Sequence, residues 1–136
     1  MRKLTILFLA FILFTPNSFA QRKASDYLKA ALVATKNKSY SQAVLLCEAA
    51  INLNNTYGTA YFHRGYNKLL MKDYSGALID FDIVIDLNAE NLDAFLYRGL
   101  TNQKAGNKWA ATQDYNAARR IDAIETLAFM TTSLFR

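Results

Sequence analysis

The sequence predicts an all-α fold: an α-solenoid of three stacked helix-turn-helix units with a C-terminal capping helix, after an N-terminal signal peptide. The first observation is a repeat, because Arg64 and Gly65 recur 34 positions later as Arg98 and Gly99. A constant interval of this size is typical of stacked helical units. The second observation is that the 136 residues include only five Gly and one Pro, so few positions interrupt a helix.

The first residues have the order of a secretory signal peptide. Arg2 and Lys3 precede the uncharged, apolar run Leu4–Phe14, and the small residue Ala20 follows. This run is shorter than the roughly 20 apolar residues that a membrane-spanning helix needs. The sequence therefore predicts a signal peptide over residues 1–20, no stable membrane span after processing, and a mature protein that is periplasmic or secreted.

The mature chain would carry little net charge. Arg2 and Lys3 belong to the predicted signal, so cleavage leaves 14 of the 16 Lys and Arg residues against 11 Asp and Glu and lowers the formal charge from +5 to +3. The remaining basic residues are scattered, without the block that follows a phosphate backbone. This pattern argues against nucleic acid as a partner.

Three units of equal length follow the signal, over residues 24–57, 58–91 and 92–125. In each unit, apolar and small residues recur at helical spacing on both sides of a short polar break, which predicts two helices and a tight turn. Small residues fall in register because two helices approach closely only where one presents Gly or Ala. They are Ala31, Gly65 and Gly99 in the first helices, and Ala43, Ala77 and Ala111 in the second helices.

The tail begins where a fourth unit would begin, and residues 126–136 are predicted to form a capping helix. A repeat array requires such a cap, because the last unit would otherwise expose its apolar face. Two phenylalanines, Phe129 and Phe135, lie away from the apolar stripe of this tail. They either wrap the end of the array or form a surface for self-association. The stripe itself consists of Ile124, Leu127, Met130 and Leu134.

With these landmarks the sequence resembles the tetratricopeptide repeat family, whose units of about 34 residues carry a W-x2-L-G-x2-Y…A-x3-F pattern. The resemblance covers residues 24–125 and suggests a small exported bacterial protein of this family. The Pro that is frequent near the end of each unit is absent here. The matching residues are Tyr61, Gly65, Asp73, Tyr74, Ala77 and Phe81 in the second unit, and Phe95, Gly99, Ala111, Tyr115 and Ala118 in the third.

The resemblance implies that the first helices line a concave groove, which holds an extended peptide or a helix of another protein. Aromatic anchors with a polar rim are typical of binding hot spots. Apolar residues at these places can also be consumed by packing between units, and burial is expected for the flanking leucines. The implied groove residues are Leu28, Lys29, Leu32, Lys36, Phe62, His63, Tyr66, Leu70, Leu96, Tyr97, Leu100 and Lys104.

One ligand-binding pattern of the family is not expected. The set of Lys, Asn and Arg that clamps a C-terminal carboxylate would occupy several of these same places. Apolar and aromatic residues stand there instead, so the sequence does not predict a clamp for chaperone tails. These residues are Leu28, Leu32, Tyr66, Leu96 and Leu100.

Charged residues also repeat. Arg64 and Arg98 precede the glycines, while Asp80 and Asp114 precede the aromatic residues of the second helices, and the first unit has neither partner. The sequence therefore predicts an Arg–Asp pair that joins the two helices within a unit or across the stack, bidentate if the geometry permits.

Nothing in the sequence predicts an enzyme or a cofactor. His63 is the single histidine and lacks a second ligand at metal-binding spacing. Asp82 and Asp86 lie one helical turn apart, but they are expected to be solvated. Cys47, the only cysteine, is expected to be an inert buried thiol.

The function predicted from the sequence is a non-catalytic interaction module, an adaptor or scaffold that binds a segment of an envelope or secreted protein in its groove. The alternative is a self-assembling structural subunit of an envelope complex, which would use Phe129, Phe135 and the ends of the stack as a homo-oligomer interface.

Overall fold

The computed structural model describes residues 16–133, and within this range it contains seven helices and no strand. The all-α prediction is therefore confirmed for the described part of the chain. Residues 1–15, which form most of the predicted signal peptide, lie outside the described residues, as do Leu134 and Phe135. The helices are α1 Pro16–Lys36, α2 Tyr40–Leu53, α3 Gly58–Leu70, α4 Tyr74–Leu87, α5 Leu92–Lys104, α6 Lys108–Ile121 and α7 Ala123–Ser133.

The helices form two layers. Each packs against its successor in the chain, and α1, α3, α5 and α7 also contact one another in that order. Between residues 16 and 133, the backbones of α2, α4 and α6 do not approach one another. The first layer is therefore the inner, concave side of a curved stack, and the second layer is the outer side. The arrangement is an α-solenoid.

The two helices of each unit are joined by the same tight turn. Lys38, Lys72 and Gly106 are 34 residues apart, and all three have a left-handed backbone with φ of 60°, 64° and 87°. Glycine adopts this conformation without the steric penalty that a lysine pays. Side chains then cap the next helix, since Asp73 accepts a hydrogen bond from the backbone N–H of Gly76, and Asn107 from that of Ala110.

Within a unit the two helices approach closest at the repeated glycine. A Cβ atom on Gly65 would lie 3.2 Å from the ring of Phe81, and one on Gly99 would lie 2.8 Å from the ring of Tyr115. The aromatic ring of the second helix therefore fills the space that the missing side chain leaves. In the first unit the corresponding residues, Ala31 and Cys47, are both fully buried in one core cluster.

Cys47 has the inert environment that the sequence predicts. Its side chain is fully buried, and burial raises the pKa of the thiol to about 12. The thiolate is the reactive form of cysteine, so at neutral pH this residue acts as a small apolar group. It takes the place that Phe81 and Tyr115 occupy in the later units.

The capping helix α7 differs from its prediction. It begins at Ala123, three residues earlier than expected, because Asp122 alone separates it from α6. Three residues turn a helix by about 300°, so another face meets the array. Ile124 and Leu127 of the expected stripe are 84% and 63% exposed, which makes that part of the prediction wrong. The side chains that pack against the third unit are Thr126, Phe129 and Met130.

The predicted cleavage site lies within a helix, since α1 runs without a break from Pro16 through Ala20 to Lys36. The first helix therefore starts eight residues before the predicted unit boundary at residue 24. None of the helices in the described range is long and apolar enough to cross a membrane.

Candidate functional site

The concave side carries a group of four aromatic rings. Phe62 and Tyr66 belong to α3, Tyr97 to α5 and Phe129 to α7. The ring of Tyr97 is central, with centroids 5.4 Å from Phe62, 5.4 Å from Tyr66 and 5.2 Å from Phe129, all nearly edge to face. This is a favourable geometry for aromatic pairs. The four residues, here called the aromatic row, are half-buried, so part of each remains available to a ligand.

Two cavities flank the aromatic row. The first, the α1–α3 cavity, has a volume of about 330 Å³. The second, the α5–α7 cavity, has a volume of about 340 Å³ and lies among α3, α5 and α7. The residues of the first are Leu32, Thr35, Lys36, Phe62, His63, Tyr66 and Tyr97. Those of the second are Tyr66, Leu69, Leu70, Lys72, Tyr74, Tyr97, Leu100, Lys104, Phe129, Thr132 and Ser133.

Most of the groove residues implied by the sequence line these cavities, but three do not. Leu28 and Leu96 are only 6% and 1% exposed, because they pack into the cores of the first and third units. Lys29 is exposed and pairs with Asp26 on its own helix. The residues that the structure does bring together are Leu32, Lys36, Phe62, His63, Tyr66, Leu70, Tyr97, Leu100 and Lys104.

The structure adds residues that the sequence reasoning did not place in the groove. Phe129 reaches Tyr97 because α7 begins early and turns this side chain inward. Lys72 enters the α5–α7 cavity from the left-handed turn after α3. Thr132 and Ser133 close the cavity at the end of α7. The shared position of Lys38, Lys72 and Gly106 could have identified Lys72, whereas the repeat gives no signal for the early start of α7.

Buried hydrogen bonds fix α1 against α3 beneath the groove. The hydroxyl of Thr35 donates to the side-chain oxygen of Asn67 at 2.9 Å, and the amide of Asn67 donates to the carbonyl of His63 at 2.7 Å. Asn67 is fully buried, so both polar ends of its side chain need these partners. The helices are thereby held in one register across the inner layer.

The electrostatics of the groove are set by lysine. Burial lowers the pKa of His63 below its usual 6.5, so its ring is neutral at pH 7 and gains charge only in acid. Lys36 lines the α1–α3 cavity, while Lys72 and Lys104 line the α5–α7 cavity. No Asp or Glu is among the described residues that line either cavity. Both cavities therefore have basic rims.

Arginine side chains connect the helices away from the aromatic row. The guanidinium of Arg64 donates to Asp80 at 2.6 Å, and that of Arg98 donates to Asp114, also at 2.6 Å. Asp80 is 0% and Asp114 4% exposed. Nε of Arg64 also contacts both carboxylate oxygens of Asp80, at 3.1 and 3.0 Å, and this bonding raises the pKa of Arg64. The Arg–Asp pair therefore joins the two helices of its own unit.

Each arginine also reaches back to the preceding unit. Arg98 donates to Asp82 at 2.6 Å, and Arg64 lies 3.8 Å from Glu48. Asp82 and Glu48 are 34 residues apart, as the two arginines are. The expectation that Asp82 is merely solvated is thus wrong, because this carboxylate links two units. In both cases the arginine lies 16 residues from either acidic partner.

The second oxygen of each buried carboxylate has its own partner. Lys68 contacts Asp80 at 2.9 Å, and the amide of Asn102 donates to Asp114 at 3.1 Å. No buried side-chain nitrogen or oxygen in the described residues lacks a hydrogen bond. These charges are therefore compensated, which makes them structural. The same residues contain no group of three His, Cys, Asp or Glu that could hold a metal ion.

Comparison with known proteins places short parts of the chain beside larger relatives. No family model matches the chain. RNA polymerase II-associated protein 3 of Xenopus tropicalis is 40% identical over 57 residues, which are 42% of this chain and 9% of that protein. Human tetratricopeptide repeat protein 6 is 34% identical over 82 residues, which are 60% of this chain and 15% of that protein. The chain therefore spans less than a sixth of the length of either relative.

Solved structures match more of the chain. The Arabidopsis OM64 TPR domain superposes with a TM-score of 0.78 at 20% identity, over 84% of this chain and 96% of that domain. The TPR2B domain of yeast Sti1, in complex with pHsp70, gives 0.76 at 15% identity, over 82% and 96%. The first TPR of Spaghetti (RPAP3), bound to the HSP90 peptide SRMEEVD, gives 0.74 at 15% identity, over 82% and 94%. The fold is that of tetratricopeptide repeat domains.

The arginine contacts generate a matched pair of stability measurements. Arg98 meets Asp114 and Asp82 at the same 2.6 Å, but only Asp114 is buried. We expect Asp114→Ala to lower the free energy of unfolding by about 3 kcal/mol, because Arg98 and Asn102 lose a buried partner. Asp82→Ala should cost less than about 1 kcal/mol, since that pair is exposed. Urea denaturation followed by circular dichroism measures both, and equal losses would contradict this assignment.

Proposed function

We propose that the chain is a non-catalytic interaction module of the tetratricopeptide repeat family that holds a segment of a partner protein in its concave groove. The observation that carries this proposal is the aromatic row, whose rings line two cavities on the inner layer while remaining half-buried. Rings in such pockets contribute most to binding when a partner covers them. The proposal needs no catalytic residue, metal or cofactor.

The related structures support the kind of ligand. The first TPR of Spaghetti (RPAP3) is bound to an HSP90 peptide, and the TPR2B domain of Sti1 is in complex with pHsp70. We transfer to this chain the use of the groove for a protein segment. Its groove has an apolar floor, where Leu32, Tyr66 and Leu100 line the cavities. The ligand is therefore expected to be held through apolar side chains more than through a clamped terminal carboxylate.

The finer proposal concerns location. The order of charge, apolar run and small residue over residues 1–20 supports export, so the partner would be an envelope or secreted protein of a bacterium. N-terminal sequencing of the protein isolated from its cells tests this step. Gln21 as the first residue is the expected result, and Met1 would contradict it.

The alternative function, a self-assembling subunit, loses one of its main supports. Phe129 was assigned to the homo-oligomer interface, but its ring packs against Tyr97 and the core of the third unit. This side chain caps its own array. Phe135, the other candidate, lies outside the described residues.

The groove proposal is tested by affinity capture from a cell-envelope extract with residues 21–136 as bait. The test variant combines Leu32→Ala and Tyr66→Ala, which remove apolar groups from the cavities. The matched control combines Leu45→Ala and Ile79→Ala, since these side chains are 65% and 59% exposed on the outer layer. Circular dichroism confirms that both variants fold.

We expect a partner that the wild type and the control retain equally and that the test variant retains about tenfold less, which is roughly 1.4 kcal/mol of binding free energy. Losses of this size are typical when hot-spot side chains are truncated. Equal recovery on all three baits would contradict a groove site. Recovery of the bait's own untagged copies alone would favour the self-assembling subunit.

A further inference from the structure

We propose that the α5–α7 cavity is an anchor pocket, which takes one large apolar side chain from an acidic segment of the partner. This inference rests on the proposed function and specifies it further. It names the part of the groove that selects the ligand and the chemistry that the ligand must have. Three observations carry it: the shape of the cavity, its apolar walls and the charge along one edge of the groove.

The cavity has walls from three helices. Tyr66 comes from α3, Tyr97 from α5 and Phe129 from α7, and Leu70 and Leu100 complete the apolar lining. Its volume of about 340 Å³ lies at the lower end of the roughly 300–1,000 Å³ that is typical of ligand pockets. That space suits a single Leu, Met or aromatic side chain and is too small for a helix. Filling it would cover Leu70, which is 38% exposed.

The charged side chains at the rim have one sign. Lys72 and Lys104 are the charged residues that line this cavity within the described range. Neither forms an ion pair there, whereas Lys68 on the same side of the molecule pairs with the buried Asp80. Their ammonium groups are therefore free to meet acidic residues of a ligand. Such charges direct the approach of a partner and fix its register.

The basic rim continues along one edge of the groove. The first helices all run in the same direction, because an antiparallel helix separates each from the next. Lys36 ends α1 and Lys104 ends α5, and Lys72 follows the end of α3. The opposite edge, where α3 and α5 begin, has Asp93 as the charged residue of its cavity, beside the neutral His63. An acidic segment is therefore favoured along the edge that holds the anchor pocket.

The same chemistry sets this pocket apart from a carboxylate clamp. A clamp fixes the end of a chain through several converging donors, whereas here two lysines flank an apolar hole. The ligand consequently needs no free C-terminus. An internal segment with Asp or Glu on either side of one apolar anchor satisfies every group that the pocket presents.

The probe for this inference is a library of random twelve-residue peptides displayed on phage and selected against the purified full chain. We expect the selected peptides to be enriched in Asp and Glu around one Leu, Met, Phe or Trp. The affinity of the most enriched peptide is then measured by fluorescence anisotropy on designed variants. Peptides without acidic enrichment would overturn the inference, as would a library that yields no binder.

The pocket is tested with a variant that fills it. Thr132 lines the cavity and is exposed, so Thr132→Trp can occupy the space without disturbing the core. Thr131→Trp is the matched control, because Thr131 is exposed on the same helix and does not line the cavity. Both hydroxyls bond the carbonyl of Ala128. We expect at least a tenfold loss of peptide affinity for Thr132→Trp and less than a twofold loss for the control.

The rim is tested by charge reversal. Lys72→Glu combined with Lys104→Glu should weaken the peptide at least tenfold, and the difference should shrink in high salt. The control, Lys108→Glu with Arg119→Glu on α6, changes the net charge equally away from the cavity. It should weaken the peptide less than threefold. Equal losses in both double variants would show only a general charge effect and would overturn the assignment.

Two further outcomes separate this inference from its premise. A selected peptide that depends on Leu32 and Tyr66 but tolerates Thr132→Trp would leave the groove function standing and overturn the anchor pocket. A chain ending at Ser133 that binds the peptide more than tenfold tighter than the full chain would assign the cavity to the chain's own last three residues. That result would also overturn the inference.

Discussion

The close approach of two helices at a glycine is the constraint on which the rest of the structure depends. At Gly65 and Gly99 the neighbouring helix comes so near that a Cβ atom would lie 3.0 Å from Asp80 or 2.8 Å from Tyr115. A steric limit of this kind fixes both the distance and the crossing of the helices in a unit. Because it recurs every 34 residues, each unit offers its successor the same packing surface, and the units stack with a constant curvature.

The groove is built directly on this contact. Phe81, the ring that lies against Gly65, is fully buried, and its centroid is 5.6 Å from Phe62 and 6.3 Å from Tyr97. The floor of the groove therefore rests on the helix crossing through one layer of aromatic contacts. On the other side of the crossing, Arg64 anchors the buried Asp80 beside that same glycine. Charge pairing and ring packing consequently hold one geometry together, and the concave surface can be rigid before any partner binds.

Much of this could be predicted from the sequence because it repeats. The interval of 34 predicts the helices and turns, and the joint presence of Arg98 and Asp114 predicts a pair, since each residue type needs the other in a buried place. The early start of α7 could not be predicted in this way, because it breaks the period by three residues. That shift placed Ile124 in solvent and Phe129 in the groove. The link from Arg98 to Asp82 was also missed, since an acidic residue on an outer helix has no sequence feature that distinguishes a solvated carboxylate from one that joins two units.

The measurement that tests this account most directly is the thermal stability of Gly99→Ala beside Gly58→Ala. A methyl group on Gly58 would meet Leu87 at an ordinary 3.7 Å, whereas one on Gly99 would press on Tyr115. The account predicts that Gly99→Ala lowers the free energy of unfolding by about 2 kcal/mol through overpacking. Gly58→Ala should change it by less than about 1 kcal/mol. A Gly99→Ala protein that melts at or above the wild-type temperature would show that the glycine crossing does not fix the stack.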